Sequence, residues 1–251
     1  MGQGMYVGEA AKKRGAKAIP VTRTVSSDDK RSKPIIGGEL ADETIRSKQS
    51  FYPLTALASQ TSNGQEFLIR TLDIVGSVVI LTLTMPAMFV VALLIKIFSP
   101  GSILYRQKRV GKDGQVFALY KFRTMVNNSE EHTGPVLAAK DDSRVTPIGR
   151  VLRRTRFDEL PQLFNVLRGD MSLVGPRPER PYFIKRHKAL QGIRLAVKPG
   201  LTGLAQIRSF YDLKPKHKIK YDYLYIRKRS LLLNLYVLLK TMPIIFSKSG
   251  W

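Results

Sequence analysis

IVGSVVILTLTMPAMFVVALLI, residues 74 to 95, runs for 22 residues without a charged side chain between Asp73 and Lys96. As one helix rising 1.5 Å per residue it would reach about 33 Å, the thickness of a bilayer's hydrocarbon core. A buried helix of a soluble protein is the alternative, but at this length insertion into a membrane is the stronger reading. Pro86, near the middle, lacks the backbone donor that a helix needs and predicts a kink or break there. A spanning helix tolerates one kink, whereas a re-entrant hairpin, entering and leaving by the same face, requires a break. We therefore expect a re-entrant helix with both ends cytoplasmic. Basic residues agree for the C-terminal side, where Lys96, Arg106, Lys108, Arg109 and Lys112 outnumber the single Arg70 before the stretch.

Outward from this segment the chain changes character on both sides. Residues 1–65 are rich in Gly, Ser, Lys, Asp and Thr, contain VSSDDKRSK, and show no sustained apolar period, so they are expected to be a disordered tail. No apolar run follows the early basic residues, so no secretory signal is expected. On the other side, ILYRQKRV and QVFALYKF flank GKDG, and Asp113-Gly114 is a tight-turn signal that predicts a β-hairpin. Residues 126–147 are polar and loop-like. The segment DELPQLFNVLRG predicts a short helix with Asp158 as its cap, Pro161 in its first turn and Gly169 past its end. GDMSLVGPRPER and VKPGLTGLAQI are loops punctuated by Gly and Pro, where backbone can approach a ligand closely. SLLLNLYVLLKTMPIIF, residues 230–246, is short for a span and is expected to pack on the core or lie at the membrane interface. The architecture this implies is α+β and helix-rich with a small hairpin: a membrane helix at 66–98 and a catalytic-sized domain at 99–251.

The chain of 251 residues carries 42 Lys/Arg against 19 Asp/Glu, a net charge of +23. Such a field attracts polyanions: nucleic acid, anionic lipid or phosphorylated substrates. There is no cysteine, which excludes disulfide scaffolds and thiolate metal sites, and the three histidines are too far apart in sequence for a zinc cluster. Residues 141–251 hold 23 of the basic and 8 of the acidic residues, so the excess sits mainly in the C-terminal half.

That half contains RRTRFDELPQ, residues 153–162. Adjacent Asp158 and Glu159 could simply complement the dipole of a helix start. Their company argues for more. Arg150, Arg153, Arg154 and Arg156 precede them and would hold both carboxylates ionised. Ionised carboxylates with guanidinium groups can handle a divalent cation and a diphosphate together, and an ionised Asp is a possible nucleophile at phosphorus. Lys121 and Arg123 of KFRTM fall on one strand face, and Arg177 of GPRPER stands between two prolines that stiffen it; both are candidate phosphate contacts, though a solvated face or a structural turn fits as well. No GxxxxGK[ST], GxGxxG or HExxH is present. YDYLYIRKRS interleaves aromatic and basic residues as single-strand binders do, so a membrane-tethered basic binding protein for lipid or nucleic acid is the competing class. The membrane segment disfavours nucleic acid, because anionic lipid explains basic residues beside a bilayer equally well.

Taken in order, SPGSILYRQKRVGKDGQVFALYKFRTM, DELPQLFNVLRGDMSLVGPRPE and VKPGLTGLAQI resemble the bacterial sugar transferases, the monotopic phosphoglycosyl transferases, from about residue 69 onward. The short form resembles the enzymes that start exopolysaccharide synthesis. The resemblance implies transfer of a sugar-1-phosphate from a UDP-sugar (glucose or galactose) to undecaprenyl phosphate at the cytoplasmic face of the bacterial inner membrane, with UMP released. It implies that Asp158 is the nucleophile and touches Mg²⁺, and that Glu159 assists the incoming lipid phosphate. It also implies that Lys121, Arg123, Arg153 and Arg177 bind phosphates, with anionic lipid as a further partner and no nucleic acid. Two positions depart from the family's pattern: Met85-Pro86 stands where members commonly carry Ser-Pro, and Asn234 where they often carry Asp.

Overall fold

Ser62 opens the first helix. Its hydroxyl accepts a hydrogen bond from the Gln65 amide, and α1 then runs from Asn63 to Phe98, 36 residues or about 54 Å. The structure is a computed structural model and describes residues 61–127, 129, 142–208 and 215–246. The tail up to residue 60 and most of the polar loop expected at 126–147 lie outside the described residues.

Pro86 does not end α1, which stays helical on both sides of it. Losing the proline's backbone donor is a local cost that the fold offsets by packing. Ile69, Asp73, Ser77 and Leu81, each four residues after the last, and then Val91 and Ile95, are buried against the rest of the domain. Both halves of the helix are therefore held by the same body. Leu81 joins the main core with Leu119, Leu163, Met171, Leu173 and Val237, and Val91 and Ile95 pack with Phe122 and Leu152. The opposite face is bare: fourteen large apolar side chains of α1 are exposed, Leu83 at 75% and Phe89 at 71% among them. An apolar surface of this extent is far beyond what a soluble monomer leaves in water. Transferring such side chains to hydrocarbon is worth roughly 1.5–3 kcal/mol each. By length and composition α1 is a membrane-span candidate.

The hairpin forms as expected. β1 (Leu104–Val110) pairs antiparallel with β2 (Val116–Phe122), Arg109 opposite Phe117 and Tyr105 opposite Lys121. Asp113 and Gly114 both take positive φ, 54° and 77°, the conformation that a tight hairpin turn requires. β2 leads into α2 (Pro147–Thr155), capped by the Thr146 hydroxyl on the Gly149 amide. Gly149 allows the close approach: a Cβ there would lie 2.0 Å from the Thr124 carbonyl.

Then comes a 3₁₀ turn (Phe157–Glu159) and α3 (Gln162–Arg168), closed by Gly169 at φ 92°. Asp158 does not cap this helix. Pro161 occupies the cap position and no side chain caps the amides, because proline's fixed φ already suits a helix start and supplies no orphan donor. β3 (Ser172–Val174), α4 (Pro181–Arg186), β4 (Gly200–Thr202), α5 (Leu204–Arg208), α6 (Pro215–Arg227) and α7 (Leu231–Phe246) complete the order. β3 and β4 pair in parallel. α7 buries Asn234 and Val237 and exposes Leu232 and Leu239, so it is both core helix and apolar surface. Asn234 accepts a hydrogen bond from the buried Tyr225 hydroxyl, a neutral role.

Polar residues bind α1 to the domain. The Arg70 guanidinium donates to the Val166 and Leu167 carbonyls at 2.7 and 2.8 Å, satisfying the C-terminal end of α3. Asp73 accepts from the Ser172 hydroxyl and the Leu173 amide at 2.9 and 2.8 Å.

Candidate active site

The 3₁₀ turn that carries Asp158 and Glu159 owes its shape to Arg156, which closes α2 in the left-handed conformation (φ 62°, ψ 9°). For a residue with a Cβ this costs on the order of 1 kcal/mol, and such strain tends to persist where it serves a site. The turn is fixed from the other side by Asn165 on α3. Its side chain accepts from the Tyr120 amide (3.1 Å) and donates to the Ala118 carbonyl (2.8 Å), completing the free edge of β2. The dyad is thereby set against the strand that bears Lys121.

The two carboxylates are both buried, 7% and 9% exposed, but they live differently. Glu159 receives a hydrogen bond from Arg177 Nη2 at 2.6 Å and faces Lys121 Nζ at 3.4 Å. Burial would raise its pKa, but the charges of Arg177 and Lys121 overcome that and hold it well below the usual range. Arg177 is raised in return, chiefly by Glu159. Asp158 makes no hydrogen bond among the described residues. Burial pushes its carboxyl up, to about 6, against the pull of Lys121 and, more weakly, Arg153 and Arg177. One carboxylate is thus locked and ionised while its neighbour is bare. A desolvated carboxylate without hydrogen bonds is the more reactive nucleophile, and its oxygens remain available to a hard cation.

Cations crowd round the pair. Arg153 Nε donates to the Thr124 hydroxyl at 2.9 Å, which aims its guanidinium from α2 while its charge acts on Asp158. The Arg177 backbone is held by Arg194, whose Nη2 donates to the Arg177 carbonyl (3.0 Å) and whose Nε donates to the buried Asp222 (2.6 Å). Arg109 donates to the Pro178 carbonyl at 2.8 Å. Burial, and then the neighbouring Arg177, lower it to about 10. Such a set of like charges, held together with few acids, favours a bound polyanion.

The sequence that folds this way has known relatives. Residues 64–248 match the family described as bacterial sugar transferase. The chain belongs to that family. It is 43% identical over 190 residues to an Aeromonas hydrophila UDP-N-acetylgalactosamine-undecaprenyl-phosphate N-acetylgalactosaminephosphotransferase, covering 73% of this chain and 45% of that protein. It is 41% identical over 199 residues to a Klebsiella pneumoniae UDP-glucose:undecaprenyl-phosphate glucose-1-phosphate transferase, covering 76% and 43%. With the exopolysaccharide production protein ExoY of Sinorhizobium fredii it shares 35% identity over 195 residues, 72% of this chain and 86% of ExoY. The chain thus spans less than half of the first two proteins and most of the third.

In this bacterial sugar transferase the structure brings together Asp158, Glu159, Lys121, Arg153 and Arg177. Arg123 lies apart from them. Although two residues from Lys121, it falls just past the end of β2, and its guanidinium donates to the Ser99 and Pro100 carbonyls and to Asn127. It closes the link between α1 and the hairpin and borders a cavity of about 130 Å³ with Ile95, Phe98 and Ile148. Reading by motif missed Arg109 and Arg194 as site residues, whereas Arg156, read from sequence as a cation beside the dyad, does lower the Glu159 pKa. Hairpin parity could have found Arg109: it faces Phe117 across the strands, and Phe117, Leu119 and Lys121 share one face. Nothing local marks Arg194. For a divalent cation, the described residues hold no cluster of three or more acidic or histidine side chains. The bare Asp158 carboxylate still fits Mg²⁺, which commonly takes one or two carboxylates and completes its shell with substrate phosphates and water.

Proposed function

We propose that this protein transfers a sugar-1-phosphate from a UDP-sugar to undecaprenyl phosphate at the cytoplasmic face of the bacterial inner membrane, as the first lipid-linked step of exopolysaccharide synthesis. The observation that carries the reading is the contrast within the dyad, a bare Asp158 beside a Glu159 locked by Arg177 and Lys121. An Asp158 oxygen attacks the sugar-bearing phosphorus, the bond from that phosphorus to the UMP oxygen breaks, and UMP leaves with the electron pair. An oxygen of the lipid phosphate then attacks the same phosphorus and releases the Asp158 carboxylate. Two anions never have to meet directly, since the covalent step separates their arrivals.

Lys121, Arg153 and Arg177 bind the phosphates and offset charge as it shifts to the leaving group. Asp158 would also hold Mg²⁺, which would supply neutralising charge at the diphosphate. An acid held as low as Glu159 is a poor proton acceptor, so it assists the lipid phosphate by keeping Arg177 and Lys121 in place. The membrane face supports the acceptor's identity: α1 and α7 offer apolar surface to a bilayer, where a polyprenyl chain resides. Both halves of α1 pack on one domain, which supports placing its two ends on the same side, although the unbroken helix lacks the break that a re-entrant hairpin requires. Names of relatives include glucose, galactose and N-acetylgalactosamine donors.

The test is UMP release from a panel of UDP-sugars with polyprenyl phosphate and Mg²⁺. Release with one or two sugars, dependent on both additions, is expected; a protein that only binds anionic lipid would release none.

A further inference from the structure

Away from the dyad, a second pair of cations converges at the foot of α1. Gly169 ends α3 in a conformation open to glycine (φ 92°), and the space above its Cα is bounded by two nitrogens. A carbon built there would lie 3.4 Å from Lys198 Nζ and 3.6 Å from Arg70 Nη2. Arg70 spends one hydrogen of each terminal nitrogen on the Val166 and Leu167 carbonyls, so each keeps another to donate. The Lys198 ammonium forms no hydrogen bond or ion pair among the described residues. Burial and then the Arg70 charge lower its pKa, with Lys112 and Arg229 adding to the repulsion. The nearby acids relieve it only in part: the Asp73 charge acts against the shift, but its carboxylate is bonded to Ser172 and Leu173, and Glu66 is paired with Arg229. The C-terminal dipole of α3 opposes an anion here, but Arg70 already donates to two of the carbonyls that carry it.

Position identifies the ligand. Arg70 stands one turn before the charge-free stretch begins at Ile74, and Phe67 and Leu68 on the same turn are exposed. An anion at this level, beside bare apolar side chains, sits where a bilayer keeps its phosphates. We propose that Lys198 and Arg70 form a binding site for the phosphate of an anionic phospholipid headgroup, which fixes how deeply α1 sits in the membrane. The site is distinct from the dyad, whose charges are set by Lys121, Arg153, Arg156 and Arg177. It rests on the membrane placement proposed above and not on the transfer chemistry.

The experiment reconstitutes the full chain in nanodiscs of phosphatidylcholine and phosphatidylglycerol, then measures the ratio of the two lipids that stay bound after mild detergent extraction. Severalfold enrichment of phosphatidylglycerol over the bulk ratio is expected for the natural protein and for Lys198→Arg. Lys198→Glu and Lys198→Ala should fall to the bulk ratio, with folding checked by circular dichroism, while Lys185→Glu should keep the enrichment. Millimolar inorganic phosphate should not displace the lipid, since it lacks the acyl chains. A natural protein that enters the discs but retains lipid at the bulk ratio would overturn the site. So would equal losses in Lys198→Glu and Lys185→Glu, which would mean a diffuse field, and so would displacement by inorganic phosphate. Failure to enter the discs at all would instead strike at the membrane placement.

Discussion

Arg177 donates to Glu159 at 2.6 Å, and the carboxylate of its peptide neighbour, Asp158, has no hydrogen bond among the described residues. The pairing makes the two acids of the dyad unequal, and each inequality has a measurable consequence. Arg177→Ala leaves Glu159 buried with the more distant Lys121 and the Arg156 charge. Arg177 keeps a third of its side chain accessible, so the loss should be about 2–3 kcal/mol, below the roughly 3–5 expected for a fully buried pair. Thermal unfolding in detergent checks this. A double-mutant cycle with Glu159→Gln should recover part of the loss, because the unpaired charge is gone.

Asp158 behaves in the opposite sense. Its pKa is raised in the folded protein, so ionised Asp158 destabilises the fold above about pH 6, and the cost disappears as pH falls through the ordinary aspartate range. Asp158→Asn should therefore raise the unfolding midpoint near neutral pH while abolishing turnover. An unchanged or lower midpoint would speak against the desolvated carboxylate.

The same shift sets a pH profile. Nucleophilic attack needs the ionised form, so kcat/KM for the donor should fall on the acid side with a midpoint near 6. More Mg²⁺ should move that limb to lower pH, since a cation on the carboxylate favours its ionised form. A limb indifferent to Mg²⁺ would remove the ion from Asp158.

Much of this arrangement is legible in the chain, and what is not has a physical reason. Asp113-Gly114 announces the hairpin because only a few residues take positive φ in a tight turn. The 22-residue apolar run announces α1. Asp158 and Glu159 stand out as adjacent acids in a basic field. Pro86 misleads, because its local cost is outweighed by packing of Leu81 on one side and Val91 on the other. Arg123 joins Lys121 by spacing but not by place, since β2 ends at Phe122 and the Arg123 guanidinium is taken up by the Ser99 and Pro100 carbonyls and Asn127. Arg194 and the Arg70 and Asp73 contacts are tertiary: each partner lies far off in sequence.

Asp73 offers a direct check on how α1 is held. Asp73→Ala strands the buried Leu173 amide and Ser172 hydroxyl, which should cost about 1–3 kcal/mol. Asp73→Asn retains an acceptor and should cost less. The difference between the two in thermal unfolding measures the polar attachment.

Topology can be read in the natural background, which has no cysteine. Cysteines placed at Ser62 and Ser99, the two ends of α1, should be labelled from the same side of sealed vesicles by a membrane-impermeant maleimide. Labelling from opposite sides would establish a spanning helix.

The covalent role of Asp158 is tested most directly by mass. Protein given the UDP-sugar alone, without lipid acceptor, and quenched in acid should gain one phosphosugar on the peptide that contains Asp158, in step with the UMP released. Release of UMP with no added mass on that peptide would contradict it.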